Sequence, residues 1–288
     1  MQDDYIYHKL NKVDLPERLK VIDQPPKQLF YRGVDINQLL QNTPTVAIVG
    51  SRKPSLYGRE VTAMLARELA VNAVVIISGL ALGIDGIAHQ ACLDAGGKTI
   101  AILPCGPEMI YPSTHKQIAK NILNSGGSLV TEYPPKTPAL KVNFIARNRL
   151  VSGLADIVIV TEAAEKSGTL HTANFALAQG KTVMAVPGPI TNPLSKGTNN
   201  LIKAGAFPIT EVSDILFKLS ITSTRNRQIN ASNQEEYIVL TLLSNGVRDG
   251  HDLLRQSKLN PEVFNQTLTM LEINGQIIAI GGNQWQLK

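Results

Sequence analysis

Between Thr45 and Pro187 the chain alternates six continuous apolar runs with stretches of helical periodicity. The runs are TVAIVG (45–50), AVVIIS (73–78), KTIAIL (98–103), SLVTEY (128–133), DIVIVTE (156–162) and KTVMAVP (181–187). A run that is apolar at consecutive positions has no polar face to turn to water. It must be buried on both sides, as in a parallel sheet covered by helices. SLYGREVTAMLARELAV (55–71), IDGIAHQACLDAG (84–96) and TLHTANFALAQ (169–179) read as such helices. Others are expected near 114–124, over 144–153, and at 198–204 and 211–219. The fold class expected is α/β, a doubly wound and mostly parallel sheet, and ligands of such sheets sit at the carboxyl ends of the strands.

The flanks read differently. Residues 1–44 are polar and punctuated by Pro16, Pro25, Pro26 and Pro44, and form a lead-in in which QLFYRG (28–33) reads as an edge strand. The sheet domain is taken as 45–219. The stretch SITSTRNRQINASNQ (220–234) lacks periodicity and reads as a linker. Beyond it EEYIVLTLL, HDLLRQS and PEVFNQTLTMLEING read as three helices, and IIAIGGNQWQLK as a hairpin around Gly281-Gly282. Three helices and a hairpin make residues 235–288 a winged helix.

Composition narrows the function classes. The 288 residues are 43% hydrophobic and 18% charged, enough for two globular domains. No apolar run is long enough to span a bilayer, and MQDDYIYHKL is not a signal peptide, so a cytoplasmic protein without a membrane partner is expected. Cys92 and Cys105 form neither a CxxC nor a Cys/His cluster, which points to reduced thiols and no structural metal. The net charge is +5; residues 233–288 hold four basic and six acidic side chains, which leaves an excess of seven positive charges on 1–232. A nucleic-acid partner would therefore be held by the larger domain.

Five polar turns gather at the carboxyl ends of the strands. In Gly50-Ser51-Arg52, Gly50 permits a sharp turn, the following N–H groups suit a phosphate, and Arg52 adds a forked donor. The alternative is an ordinary strand-to-helix turn with Arg52 solvated. In SGLALGID (78–85), Ser78 and Gly79 open a tight turn and Asp85 is placed to cap the next helix; His89, a lone histidine on that helix, reads as packed or solvated. In NFIARNRL (143–150), Asn143, Arg147, Asn148 and Arg149 stand on a segment whose other positions are apolar. Buried arginine is costly unless paired, so Arg147 and Arg149 are internally paired or one of them faces a phosphate. Phe144 is a core residue or a platform for a base. In KSGTLHT (166–172), Lys166, Ser167, Gly168 and Thr169 offer amides and hydroxyls to an anion, or else Thr169 simply caps a helix. In the stretch 187–206, Gly197, Thr198 and Asn199 again precede a helix, with Lys203 one turn inside. Each turn is a weak signal; together they indicate a phosphate-rich ligand.

Read in order, VAIVGSRKPSLYG, ISGLALGIDGIAH, GKTIAILPCG with IYP, TEYPP, NFIARNRLVSGLA, KSGTLHTANFALAQGKTVMAVPG and KGTNNLIKAGA resemble the DNA-processing protein A family (DprA, also called Smf). LPERLKVIDQPPKQLFYRG (15–33) resembles that family's lead-in, and the resemblance covers most of residues 15–217. It implies an extended Rossmann domain that binds and protects single-stranded DNA, forms a homodimer, and brings the RecA recombinase onto incoming strands in natural transformation. It implies no enzymatic activity and no cofactor. By the same resemblance Arg52 contacts DNA phosphate, and the turn at Ser78-Gly79, the Asn143 to Arg149 segment and the Ser167-Gly168-Thr169 turn border one basic pocket. Many members carry a helical domain ahead of the sheet, for which the 44 residues before Thr45 are expected to be too few. The helix PEVFNQTLTMLEI has Glu262 and Glu272 but no Lys or Arg, and binding a duplex requires neutralised phosphates. The winged helix is therefore expected to contact protein, or DNA only weakly.

The rival class is a nucleotide-binding or nucleotide-hydrolysing enzyme or sensor on the same fold. Phosphoribohydrolases that resemble this fold use a Gly-Gly-x-Gly-Thr-x-x-Glu loop with a catalytic glutamate; here Thr172 occupies that position, and a hydroxyl cannot serve as the carboxylate base. Glu162, at the end of the preceding run, reads as a partner in a strand-end salt bridge. Arg52 would fill the pyrophosphate approach of a dinucleotide site, while a mononucleotide still fits the pattern.

Overall fold

The computed structural model describes residues 6–221, 231–244 and 246–287. The chain divides into two compact units, Met1–Ser223 and Thr224–Lys288. Most of the stretch read as a linker lies outside the described residues.

In the first unit one sheet contains β1 (His8–Asn11), β2 (Gln28–Gly33), β3 (Thr45–Val49), β4 (Val75–Ser78), β5 (Thr99–Ile102), β6 (Ser128–Thr131), β7 (Ile157–Val160), β8 (Thr182–Ala185) and β9 (Phe207–Pro208). Their order is β1-β2-β6-β5-β4-β3-β7-β8-β9. From β3 through β9 all neighbours pair in parallel, while β2 runs antiparallel to both β1 and β6. The helices of this unit are α1 (Glu17–Lys20), α2 (Ile36–Leu40), α3 (Leu56–Val71), α4 (Ile84–Asp94), α5 (Lys116–Asn124), α6 (Lys141–Leu154), α7 (Thr169–Ala178), α8 (Lys196–Lys203) and α9 (Val212–Lys218).

Alternation along the buried strands explains the two layers. Val46 and Ile48 of β3 face the cluster of Leu65 and Leu69 from α3 and Ile84 from α4. Ala47 and Val49 face the opposite cluster, with Leu150 and Leu154 from α6 and Ala173 from α7. Side chains on a strand point alternately to the two faces, so one run of five buried residues serves both layers. Fully burying each large aliphatic side chain contributes about 1.5–3 kcal/mol.

QLFYRG is a strand but not an edge strand: β1 covers its outer side. HKLN contributes a single buried residue, Leu10, and a run with one apolar position leaves no periodic trace. The lead-in is also part of the core. Leu15, Leu19 and Ile22 join the cluster beneath α6, and the Arg18 guanidinium reaches Thr45 Oγ1 (2.7 Å), Leu154 O (3.1 Å) and Asp156 (3.2 Å).

The second unit contains α10 (Gln234–Ser244), α11 (Gly250–Ser257), α12 (Pro261–Ile273) and the hairpin β10 (Ile277–Gly281) with β11 (Gln284–Leu287). Asp249 accepts hydrogen bonds from the amides of His251 and Asp252 at the start of α11. Asn260 caps α12 with Pro261 at its first position. Leu240, Leu253, Phe264, Leu271 and Ile277 close a core of its own. This is a winged-helix arrangement.

Candidate functional site

The chain leaves β3, crosses to β4, β5 and β6 on one side, and returns to β7 on the other. Loops after β3, β4 and β7 therefore diverge from one point, and such a switch point opens a crevice at the strand ends. A cavity of about 410 Å³ lies there, lined by Gly50, Ser51 and Arg52 after β3, by Gly79, Ala81 and Asp85 after β4, and by Ser167, Gly168, Thr169 and Thr172 after β7. Phe144, Ile145, Arg147, Asn148 and Val151 of α6 complete the wall.

The turn after β4 is held from several sides. Leu80 has φ 57°, a left-handed conformation that costs a residue with a Cβ about 1–2 kcal/mol. Its side chain is fully buried, which offsets that cost. Asp85 does not cap α4; its carboxylate accepts from the amides of Gly79 (3.1 Å) and Ala81 (3.4 Å). Gly83 precedes the helix with φ 78°, and a Cβ there would strike Ser51 O, so glycine is required on both counts. The carbonyl of Leu80 accepts from His115 Nδ1 (3.0 Å). Strained backbone held by this many partners is a feature of binding sites.

Behind the turn lies Arg147, 3% exposed. Its guanidinium donates to the carbonyls of Gly79 and Ile102 and passes so close to Gly79 that a Cβ on that residue would collide with it. Burial lowers its pKa to about 10, against the raising influence of Asp85, so it remains charged at neutral pH. Burial conversely raises the pKa of Asp85, with Arg147 opposing. Arg149 lies outside the cavity and forms a forked pair with Glu132, at 2.6 Å to each carboxylate oxygen. Both arginines thus have internal partners.

Arg52 is the contrasting case. It is exposed, has no acidic partner among the described residues, and its guanidinium stands 5.3 Å from the centre of the Phe144 ring. Phe144 is half-buried and meets Tyr111 edge-on at 5.2 Å. A cation and an aromatic ring therefore share the cavity lining, and a second ring, Tyr111, packs against the first. The sequence motifs contained Tyr111 in IYP but gave no reason to place it here, because its partner is 33 residues further along the chain.

Other expected site residues have internal partners. Ser78 donates its hydroxyl to Ile48 O (2.6 Å), tying β4 to β3. Asn143 donates to Pro104 O (3.1 Å). The fifth turn stands apart from the other four: Gly197, Thr198, Asn199 and Lys203 do not line the cavity. The Gly197 amide donates to Ala163 O (2.8 Å), Thr198 donates to Ser195 O (3.0 Å), and Asn199 exchanges two hydrogen bonds with the backbone of Gly188. Lys203 is exposed in the last turn of α8, and Lys166 is exposed beside Ser167 without lining the cavity. Thr169 does line it, but its hydroxyl is donated to Gly50 O (2.8 Å), which joins two of the loops.

Among the described residues Glu162 has no salt-bridge partner. Its carboxylate accepts from the Ser55 amide (2.8 Å) and hydroxyl (2.5 Å), while the Ser55 hydroxyl in turn accepts from Gly58 at the start of α3. Negative charge at a helix start is favourable, and a carboxylate engaged in this way is a structural anchor. Thr172 is 2% exposed at the glutamate position of the rival chemistry. Among the described residues no cluster of three His, Cys, Asp or Glu is placed to hold a metal ion, and Cys92 and Cys105 are both free and buried. Burial pushes the thiol of Cys92 up to about 12 and that of Cys105 to about 11, so neither is a thiolate at neutral pH. No helix among the described residues is long and apolar enough to cross a membrane.

His89 is fully buried. The Thr99 hydroxyl donates to Ile76 O (2.7 Å), so the 2.6 Å contact between His89 and Thr99 is donated by Nδ1–H, leaving Nε2 buried without a partner. Burial, followed by His115 and Arg147, lowers its pKa from 6.5 to about 3. The unfolded chain takes up this proton near pH 6.5 and the folded chain does not until about pH 3, so stability present above pH 6.5 is lost as pH falls across that window. Thermal unfolding from pH 7 to 4 is expected to show a steeper loss for the wild type than for His89→Gln. Parallel profiles would remove His89 as the cause.

The sequence pattern of the family described as DNA recombination-mediator protein A matches residues 7–220, and that of the DprA winged helix domain matches residues 223–283. The chain is 39% identical over 284 residues to Protein Smf of Escherichia coli (strain K12), covering 95% of this chain and 75% of that protein. Among solved structures it is similar to DNA processing protein A of Streptococcus pneumoniae, with TM-score 0.68 and 40% identity over 73% of this chain and 74% of that one. It is also similar to DNA processing protein A of Helicobacter pylori, whose structure addresses a single-stranded DNA binding mode, with TM-score 0.69 and 35% identity over 76% of this chain and 98% of that one.

Proposed function

The chain belongs to the DNA recombination-mediator protein A family, and from that premise we propose that it binds single-stranded DNA at the switch-point cavity, protects the strand, and helps load the RecA recombinase onto it in transformation and recombination. The observation that carries the proposal is the rim of the cavity, where the exposed guanidinium of Arg52 stands over Phe144 beside Tyr111. Single-strand binders combine cationic groups that follow the backbone with aromatic faces on which bases stack. Phosphates would meet Arg52 and the Gly168 turn, since the amides of Ser51 and Ser167 are donated to Glu162 O (2.8 Å) and Ala164 O (3.1 Å), and an unstacked base would pack on Phe144. Phosphate contacts carry no sequence information, so binding would tolerate any sequence. The protein acts without catalysis in this reading, because Thr172 stands where the related hydrolases place their carboxylate and Glu162 is engaged by Ser55. It works in the cytoplasm, as a homodimer that presents two such faces, and the winged helix contacts protein, or DNA only weakly.

Titration of labelled oligo-dT and of free nucleotides against one preparation tests this. Tight oligo-dT binding that weakens steeply with salt, with no nucleotide turnover, is the expected result. Tight nucleotide binding or turnover without oligo-dT affinity would favour the enzyme or sensor. A chain lacking residues 221–288 should keep most of its oligo-dT affinity.

A further inference from the structure

We propose that the groove between α5 and the loop at 107–113 is a second phosphate-binding track, which carries a single strand onward from the cavity. The proposal rests on the cavity being a single-strand site. The groove encloses about 800 Å³. Lys116 and Lys120 line it from α5, four residues apart and so one turn apart on the same face. Both are exposed, and neither has an acidic partner among the described residues. Arg32 of β2 stands at the other wall, where its guanidinium donates to Pro107 O (3.4 Å). Leu123, Leu129, Met109 and Ile110 supply apolar surface between these cations.

One acid, Glu108, belongs to this lining. One carboxylate oxygen accepts from the Lys136 amide and the other is buried without a partner. The two exposed lysines, with Arg32 in the opposite wall, outnumber this acid around an apolar floor, which suits a chain of phosphates with bases attached.

Continuity with the cavity comes from the loop itself. Ile110 lines the groove, and the next residue, Tyr111, packs edge-on against Phe144 in the cavity wall. A strand leaving the rim at Arg52 and Phe144 crosses Tyr111 and arrives at Lys116. Neither lysine touches the cavity, so the track contributes only when the oligonucleotide is long enough to leave it.

Oligonucleotide length therefore separates the two sites. Binding of oligo-dT of about 6 and about 20 nucleotides is measured for the full chain and for Lys116→Glu/Lys120→Glu. The expected result is an affinity loss of about tenfold or more for the long oligonucleotide, a salt slope smaller by about 1–2, and a change of less than about twofold for the short one. Lys116→Ala/Lys120→Ala should show the same pattern with smaller size, and thermal unfolding should be unchanged because both side chains are exposed. Unchanged affinity for the long oligonucleotide would overturn the proposal, as would an equal loss for both lengths. If the wild type binds neither length, the single-strand reading of the cavity itself fails and the track falls with it.

Discussion

Replacing Arg52 with glutamate is expected to lower oligo-dT affinity by about two orders of magnitude or more and to leave the fold intact. The exposed guanidinium makes a ring contact with Phe144 and has no acidic partner among the described residues, so no buried charge is left unpaired by the change. Stability should move by about 0.5 kcal/mol or less, the usual range for surface positions. Binding suffers twice. A cation that meets phosphate is removed, and an anion is placed at the cavity rim, where charge repulsion is less screened than in open solvent. Arg52→Lys should retain part of the affinity, since it keeps the charge but not the planar fork that stacks on Phe144 and grips two oxygens. Anisotropy titration at two salt concentrations reads both variants. If Arg52→Glu binds as the wild type does, the rim is not the DNA contact.

Arg147→Ala is expected to fail in the opposite way, by losing stability. The guanidinium is buried against the carbonyls of Gly79 and Ile102, close to Asp85. Truncation leaves two buried acceptors without a donor, a cavity, and an acid without its compensating charge. Breaking a buried charge arrangement from one side costs about 3–5 kcal/mol. For a unit of this size that corresponds to a fall in Tm of about 10 °C. Both bonds come from one nitrogen, Nη1, so Arg147→Lys, whose ammonium carries three donors, should recover part of the loss. Urea unfolding of Arg147→Ala and Asp85→Asn, alone and combined, measures the coupling. Additive losses, or a loss below about 1 kcal/mol for Arg147→Ala, would mean that the arginine does not organise the turn.

Much of the fold was legible because it depends on local patterns. Six apolar runs demanded burial on both faces, and the helix read over 55–71 is α3, Leu56–Val71, with Ser55 as its cap. The antiparallel edge was not legible. β1 is HKLN, and nothing in four residues with one apolar side chain announces its pairing with β2. At the site, the glycine-bearing turns after β3, β4 and β7 could be found from their position between a strand and a helix. The turn at 197–199 has the same local appearance, yet its polar groups are taken by Ala163, Ser195 and Gly188.

The arginines show the division most clearly. The sequence by itself determined that a parallel sheet would bring polar turns to one edge and that three arginines, Arg52, Arg147 and Arg149, would stand near it. Only the tertiary structure decided that Arg52 faces outward, that Arg147 is enclosed by carbonyls 68 and 45 residues away, and that Arg149 pairs with Glu132, 17 residues away. The physical reason is that a guanidinium turns toward whichever acceptors the packed chain brings within hydrogen-bond reach. Helical spacing assigns a side chain to a face, but those acceptors lie on other elements of the fold.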